Sequence, residues 1–258
     1  MRERLCKISR VAIIALACAF VCAGGCPGVR AQEPSGAQEA RPLRVLFVGN
    51  SLTYTNDLPA MLEALAEAAG AARPVCRAVV AGGYSLEDHW NQGTARKAIA
   101  QGGWDVVVLQ QGPSASEEGR RSLLEYARRF AEEIRRAGAQ PALYMVWPAS
   151  SRKGDFDGVV ESYRQAAVDA KGLLFPAGAA WRAAWKRDPK LKLYSDDGLH
   201  PTVAGTYLAA LTIYQKLYGR TPIGLPATLQ LRNSGRIEIP SEQAKLLQEA
   251  AAEVKEKR

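Results

Sequence analysis

The chain predicts a three-layer α/β/α sandwich built on a five-stranded parallel sheet. Three observations carry this. Short apolar runs without polar alternation recur at Arg44–Val48, Val75–Ala81, Trp104–Leu109, Pro141–Trp147 and Leu173–Pro176, as expected of strands covered on both faces. A stretch with helical spacing of apolar residues follows each run. No internal repeat interrupts the alternation, and regular strand–helix alternation is the signature of a single parallel sheet sandwiched by helices.

Each element has a local reason. Leu58 to Ala69 carries Leu58, Met61, Leu62 and Leu65 on one helical stripe and stops at Gly70. Leu86 to Ala100 is a weaker helix, opening behind Gly82-Gly83. Ser116 to Ala137 is a long helix dense in charge pairs, and Phe156 to Lys171 is closed by Gly172. Ala179 to Lys186 and Thr202 to Tyr218 follow, and Ser241 to Lys257 is a C-terminal amphipathic helix opened by a capping Ser.

The termini modify the composition. The sequence has 258 residues, 47% hydrophobic, with net charge +8, two His and five Cys. Arg2, Arg4, Lys7 and Arg10 precede the uncharged run Val11 to Val21, which is shorter than the roughly 20 residues a spanning helix needs. Residues 1–31 therefore read as an export signal cleaved before Gln32, with Ala23-Gly24-Gly25-Cys26 as an alternative lipobox that would anchor the protein to a membrane through Cys26. Residues 32–42 are a polar Pro/Gly/Ser linker, and residues 43–258 form the globular domain. Removing the signal takes five basic residues and one acid away and leaves a net charge of +4, scattered among acids. That pattern excludes a nucleic-acid footprint, which would be clustered and interleaved with aromatics. Four of the five Cys lie in the signal, so the mature domain keeps only Cys76, inside an apolar run, and no internal disulfide can form.

In open parallel sheets, ligands bind outside the carboxyl ends of the strands. There the sequence places Gly49-Asn50-Ser51-Leu52 after the first strand, Gly82-Gly83 after the second and Gln110-Gln111-Gly112-Pro113-Ser114 after the third. Asp197-Gly198-Leu199-His200-Pro201 precedes a late helix. A serine hydroxyl is a weak nucleophile and needs a base within hydrogen-bond reach. A carboxylate three residues before a histidine can fix the imidazole tautomer, which fits a Ser51–His200–Asp197 triad. Taken alone, Ser51 could equally cap the helix after the strand. Neighbouring Asp196 fits a solvated loop position.

These blocks resemble the SGNH/GDSL hydrolase superfamily of serine esterases and lipases, over Leu43 to about Tyr218. Gly49-Asn50-Ser51-Leu52 looks like that family's first block and Asp197 to Pro201 like its last. The resemblance implies a flavodoxin-like fold, Ser51 as nucleophile, His200 as base, Asp197 as its orienter, and an oxyanion site at Gly83. The third block departs from the family's G-x-N-D: aligning Gly112 puts Ser114 at the Asn position and Ala115 at the Asp, so Gln111, Gln110 or Ser114 would have to supply the side-chain donor. Asn50, His89 and Trp147 are candidate substrate contacts; His89 could instead sit on a helix surface or partly buried, and Trp147 in the core. No metal or cofactor is called for. Asp155-x-Asp157-Gly158 lacks the remaining ligands of a calcium loop.

The expected function is an exported esterase acting on small esters, with acetylated carbohydrate first and lipid or lysophospholipid esters behind it. A non-catalytic carbohydrate- or ligand-binding module on the same scaffold is the alternative from another class.

Overall fold

The computed structural model describes residues 41–254. The expected export signal, Cys26 and all but the last two residues of the linker lie outside the described residues.

Five parallel strands form one sheet in the order β2-β1-β3-β4-β5: β1 (Arg44–Gly49), β2 (Val75–Val80), β3 (Val106–Leu109), β4 (Gln140–Tyr144) and β5 (Leu173–Phe175). The helices in chain order are α1 (Ser51–Tyr54), α2 (Leu58–Ala68), α3 (Leu86–Gln92), α4 (Thr94–Ala100), α5 (Glu117–Arg136), α6 (Phe156–Asp169), α7 (Ala177–Arg187), α8 (Val203–Tyr218) and α9 (Ser241–Glu253). One layer packs α2, α7, α8 and α9 together, and the other packs α3 to α6. A two-stranded hairpin, β6 (Thr228–Leu231) with β7 (Gly235–Glu238), lies against α2.

Burial explains the strand sequences. Val45 to Val48 and Val107 to Leu109 are shielded on both faces, so the runs contain no polar alternation. β2 is an edge strand and half exposed, which accounts for Arg77 within it. Burial pushes the half-buried Cys76 thiol well above its ordinary pKa, helped by the neighbouring Glu63 carboxylate. α5 buries Leu123, Tyr126, Ala127, Phe130, Ala131 and Ile134 at helical spacing. Each large side chain there contributes about 1.5–3 kcal/mol. Ser116 caps its first turn beside Glu117 and Glu118, and Arg135 and Arg136 close the last, as the helix dipole favours.

The chain leaves β1 for β2 on one side and then returns past β1 to β3 on the other. β1 and β3 are thus neighbours whose connections diverge, and the crevice opens at their carboxyl ends.

Several boundaries differ from expectation. The single helix expected over Leu86 to Ala100 is two, broken at Gly93 in a left-handed conformation (φ +81°). The strand expected to reach Trp147 ends at Tyr144, because the Met145 N–H bonds Phe175 and its carbonyl takes the Gly178 N–H instead of continuing the ladder with β3. The hairpin at residues 228–238 was not expected. Neither were Asn56 and Asp57, consecutive left-handed residues (φ 56° and 54°) that turn the chain from α1 into α2. Such a conformation costs roughly 1–2 kcal/mol per residue, least for Asn and Asp. Asp57 offsets part of it by capping α2 at the Ala60 N–H (3.3 Å) and by accepting from Ser234 of the hairpin (2.5 Å).

Candidate active site

Ser51 is set by the end of β1. Asn50 is the N-cap of α1: its Oδ1 accepts from the Leu52 N–H at 3.1 Å, and Ser51 takes the first helical position. Gln110, wholly buried at the end of β3, reaches across to hold this turn. Its Oε1 accepts from the Asn50 N–H (2.8 Å) and the Thr53 hydroxyl (2.7 Å), and its Nε2 donates to Asn50 Oδ1 (2.9 Å) and the Gln111 carbonyl (2.7 Å). All four hydrogen-bonding positions of the amide are therefore used. A Cβ at Gly49 would fall on Gln110 Oε1 and Thr53 Oγ1, so this close approach requires glycine.

The loop before α8 brings His200 to Ser51. His200 Nε2 accepts from the Ser51 hydroxyl at 2.8 Å, and its Nδ1–H donates to Asp197 Oδ2 at 2.5 Å. The other carboxylate oxygen, Oδ1, accepts from the Ser195 hydroxyl (2.8 Å) and the N–H groups of Leu199 (2.8 Å) and His200 (2.9 Å). The bond from His200, then those backbone N–H groups and Ser195, hold the Asp197 carboxyl well below the usual carboxylate range. Exposed Asp196 takes no part in this chain of contacts.

Ser51 lines a cleft of about 760 Å³ between the β1 and β3 ends, which the His200 loop borders through Leu199. Gly83 shares its wall with Ser51, in a left-handed conformation (φ +74°) suited to glycine. Farther out the wall is polar: Glu87, Glu118, Arg121, Ser122, Glu125 and Tyr126. A separate groove of about 610 Å³ on α4 and α5, carrying Arg96, Lys97 and Arg136, contains none of the expected site residues.

Of five expected contacts, Gln111, Ser114 and Asn50 line the cleft with their polar groups already engaged, and His89 and Trp147 lie outside its lining. The Gln111 amide is not aimed at an oxyanion: Oε1 accepts from the Leu86 N–H (3.0 Å), and Nε2 donates to Ser114 Oγ (2.9 Å) and the Gly119 carbonyl (3.3 Å). Ser114, also left-handed (φ +59°), donates its hydroxyl to the Gly112 carbonyl (2.9 Å). Both third-block side chains are thus engaged, Ser114 within its own loop and Gln111 also in tying that loop to the starts of α3 and α5. Asn50 lines the cleft but is occupied as cap and scaffold, its Nδ2 donating to the Tyr84 carbonyl at 2.9 Å. His89 is 1% exposed, outside the cleft lining, and donates Nε2–H to the Gly49 carbonyl at 2.8 Å. Burial pulls its pKa below the ordinary histidine value, against smaller opposing effects of Gly49 and Asp88, and its Nδ1 has no hydrogen-bond partner among the described residues. Trp147 is wholly buried, stacked on Trp181 at 3.6 Å between ring centroids, and donates to the Leu199 carbonyl at 3.0 Å. It supports the base loop from behind. The role of Gln110 as keystone was missed, though a Gln-Gln pair closing an entirely apolar strand is an uncommon enough pattern to mark it.

Asp155 and Asp157 are ion-paired with Arg152 (2.6 Å) and Arg182 (2.5 Å). No cluster of three or more His, Cys, Asp or Glu suited to a metal occurs among the described residues.

Neither a family model nor a curated protein matches the chain by sequence. Solved structures do. A protein from Slackia heliotrinireducens assigned to the SGNH hydrolases is 31% identical, matched over 69% of this chain and all of that one, with a TM-score of 0.59. A DUF4886 family protein from Bacteroides uniformis aligns over 82% of this chain and 93% of its own at 20% identity and a TM-score of 0.65. An acetyl-xylooligosaccharide esterase variant from Geobacillus shares the fold, at 16% identity over 69% of this chain and 96% of that one and a TM-score of 0.56. With the five-stranded parallel sheet and the first and last sequence blocks already in place, the 31% identity over the full length of the Slackia protein establishes that this chain belongs to the SGNH hydrolase superfamily.

Proposed function

We propose that the protein is an exported serine esterase whose first substrate class is O-acetylated carbohydrate. The single observation that carries this reading is the contact chain from Ser51 Oγ through His200 to Asp197, 2.8 Å and 2.5 Å long, at the head of a polar cleft. In the proposed reaction Ser51 Oγ attacks the ester carbonyl while His200 Nε2 takes its proton, and Asp197 stabilises the resulting imidazolium. The oxyanion is received by the backbone N–H groups of Ser51 and Gly83. The C–O bond breaks as His200 returns the proton to the leaving alcohol. Water then attacks the acyl-enzyme and gives a proton to His200, which returns it to Ser51 Oγ as the bond from Ser51 to the acyl group breaks and the acid departs. With Gln111 and Ser114 occupied, no third-block side chain assists; one such donor is typically worth about 10²–10³ in rate.

The cleft's charged and hydroxyl-bearing wall favours a polyhydroxylated alcohol over a lipid chain. An acetyl-xylooligosaccharide esterase among the structural neighbours is consistent with that choice. The occupied third-block donors are the one feature favouring a ligand-binding module instead.

Hydrolysis of p-nitrophenyl acetate separates the two. Wild type is expected to exceed both Ser51→Ala and His200→Ala by at least about 10³, and equality with either variant would sink the esterase reading. Acetylated xylan and O-acetyl sialic acid then compare the sugar classes. Mass spectrometry of the same protein, expressed at full length, reads the export proposal. A product beginning at Gln32 supports soluble export, a lipidated Cys26 supports anchoring, and an intact Met1 end removes both.

A further inference from the structure

Ser51 and His200 are 149 positions apart, and their 2.8 Å contact joins two segments built separately. The nucleophile segment runs from Asn50 through α1 to the left-handed pair Asn56 and Asp57. The base segment runs from Tyr194 to Pro201 and is closed on itself, with Tyr194 bridging Pro201 and the Ser195 N–H bonding the His200 carbonyl at 2.8 Å. Its other supports come from elsewhere: Trp147 to the Leu199 carbonyl (3.0 Å), the Ser150 N–H to the Gly198 carbonyl (2.7 Å) and Tyr194 to the Pro148 carbonyl (2.7 Å). All three hold the base segment to the chain after β4, and none refers it to Ser51.

Asn56 supplies the missing reference. Its Nδ2 donates to the Pro201 carbonyl and to the hydroxyl of Thr206 on α8, both at 3.0 Å. Thr206 is buried, so one acceptor of this pair is fixed in the core. Among the described residues, these are the only side-chain hydrogen bonds that join residues 50–57 to residues 194–206, apart from the Ser51–His200 contact itself. The acceptor on the base segment is the carbonyl of the residue immediately after His200, and the donor sits five residues after Ser51.

We propose that Asn56 is a positioning residue for the reaction: its carboxamide sets the spacing of the nucleophile and its base, which explains why a non-glycine residue occupies a left-handed turn there. The inference rests on the serine-esterase reading for its catalytic consequence but not for its geometry, and the two can fail separately.

Two substitutions isolate the carboxamide from the backbone. Asn56→Gly accepts the left-handed φ without penalty and deletes the side chain. Asn56→Asp keeps the shape and the tolerance of that φ but places an acceptor against the Pro201 carbonyl. Both should lower kcat on p-nitrophenyl acetate by about 10- to 100-fold with KM little changed, as expected for misplacement of reacting groups. The chain has only two histidines, so ¹⁵N-histidine labelling gives a spectrum of two imidazoles. The His200 ring signals should move in both variants while those of buried His89 stay in place.

Wild type active above Ser51→Ala, with kcat and the His200 signals unchanged in both variants, would overturn the proposal and leave the esterase standing. If wild type is no faster than Ser51→Ala, the esterase reading fails, and the His200 signals alone decide: moved, they support the clamp; unmoved, they refute it. A loss of kcat in Asn56→Asp with Asn56→Gly unaffected would also refute it, because a new charge rather than a lost donor would then be responsible.

Discussion

Ser51 stands at the end of a strand buried on both faces, whereas His200 and Asp197 stand on a loop where their side chains are 32% and 49% exposed. The turn under Ser51 is held by the amide of Gln110, buried in the core with every donor and acceptor used. The loop under His200 is held by its own backbone and a few long-range side chains. The contrast teaches that the two halves of the Ser51–His200 contact carry different loads. Disturbing the first should cost the fold, and disturbing the second should cost the reaction.

Asp197→Asn offers the largest separation. It keeps an oxygen for the Leu199 and His200 N–H groups but no longer fixes the imidazole tautomer, so kcat should fall by about 10³–10⁴. The thermal midpoint near neutral pH should barely move, since exposed ion pairs contribute little. A large fall in midpoint with kcat preserved would erase the contrast. The sign of the pH effect follows from the depressed carboxyl pKa. Whatever stability Asp197 contributes is present above the ordinary carboxylate pKa of about 4 and is lost as pH falls through the lower folded value. As pH falls below about 4, the thermal midpoints of wild type and Asp197→Asn should therefore converge.

Gln110→Leu tests the opposite limb. It leaves the Asn50 N–H and the Thr53 hydroxyl without their partner inside the core and Asn50 Oδ1 with the Leu52 N–H alone, at a cost of about 2–4 kcal/mol. Calorimetry should record a midpoint lower by roughly 5–15 °C for a domain of this size. An unchanged midpoint would mean the network is dispensable.

The smallest effect belongs to Trp147→Phe, which retains a ring against Trp181 and loses the donor to Leu199. One hydrogen bond of about 1 kcal/mol predicts a fall of a few-fold in kcat/KM on the same ester. A loss as large as that of Asp197→Asn would show the loop to be far less self-supporting than its backbone bonds imply.

Much of the scaffold was legible because burial writes itself into composition. β1 and β3 are read from unbroken Val, Leu and Phe, and the blocks at Ser51 and Asp197–His200 from short-range spacing. What escaped depends on direction. The place of Gln111 and Ser114 in the chain points to oxyanion donors, yet an amide can face either way, and here the Leu86 N–H, the Gly119 carbonyl and the Gly112 carbonyl claim them. His89 and Trp147 lie near the cleft in sequence terms, but each turns its ring nitrogen to a backbone carbonyl in the interior. The hairpin at residues 228–238 left a fainter trace, Leu229, Leu231 and Ile237 in alternation about Asn233-Ser234-Gly235. The turn at Asn56-Asp57 was signalled only by two residue types that tolerate it, ahead of a proline in the first turn of α2.

The indoles of Trp147 and Trp181 lie 3.6 Å apart and within 10° of parallel, and the first of them grips the carbonyl next to His200. Two chromophores that close share their electronic excitation, and the near-ultraviolet dichroism of such a pair follows its spacing and angle. The protein thereby carries an optical gauge of the packing behind its His200 loop, needing no attached dye.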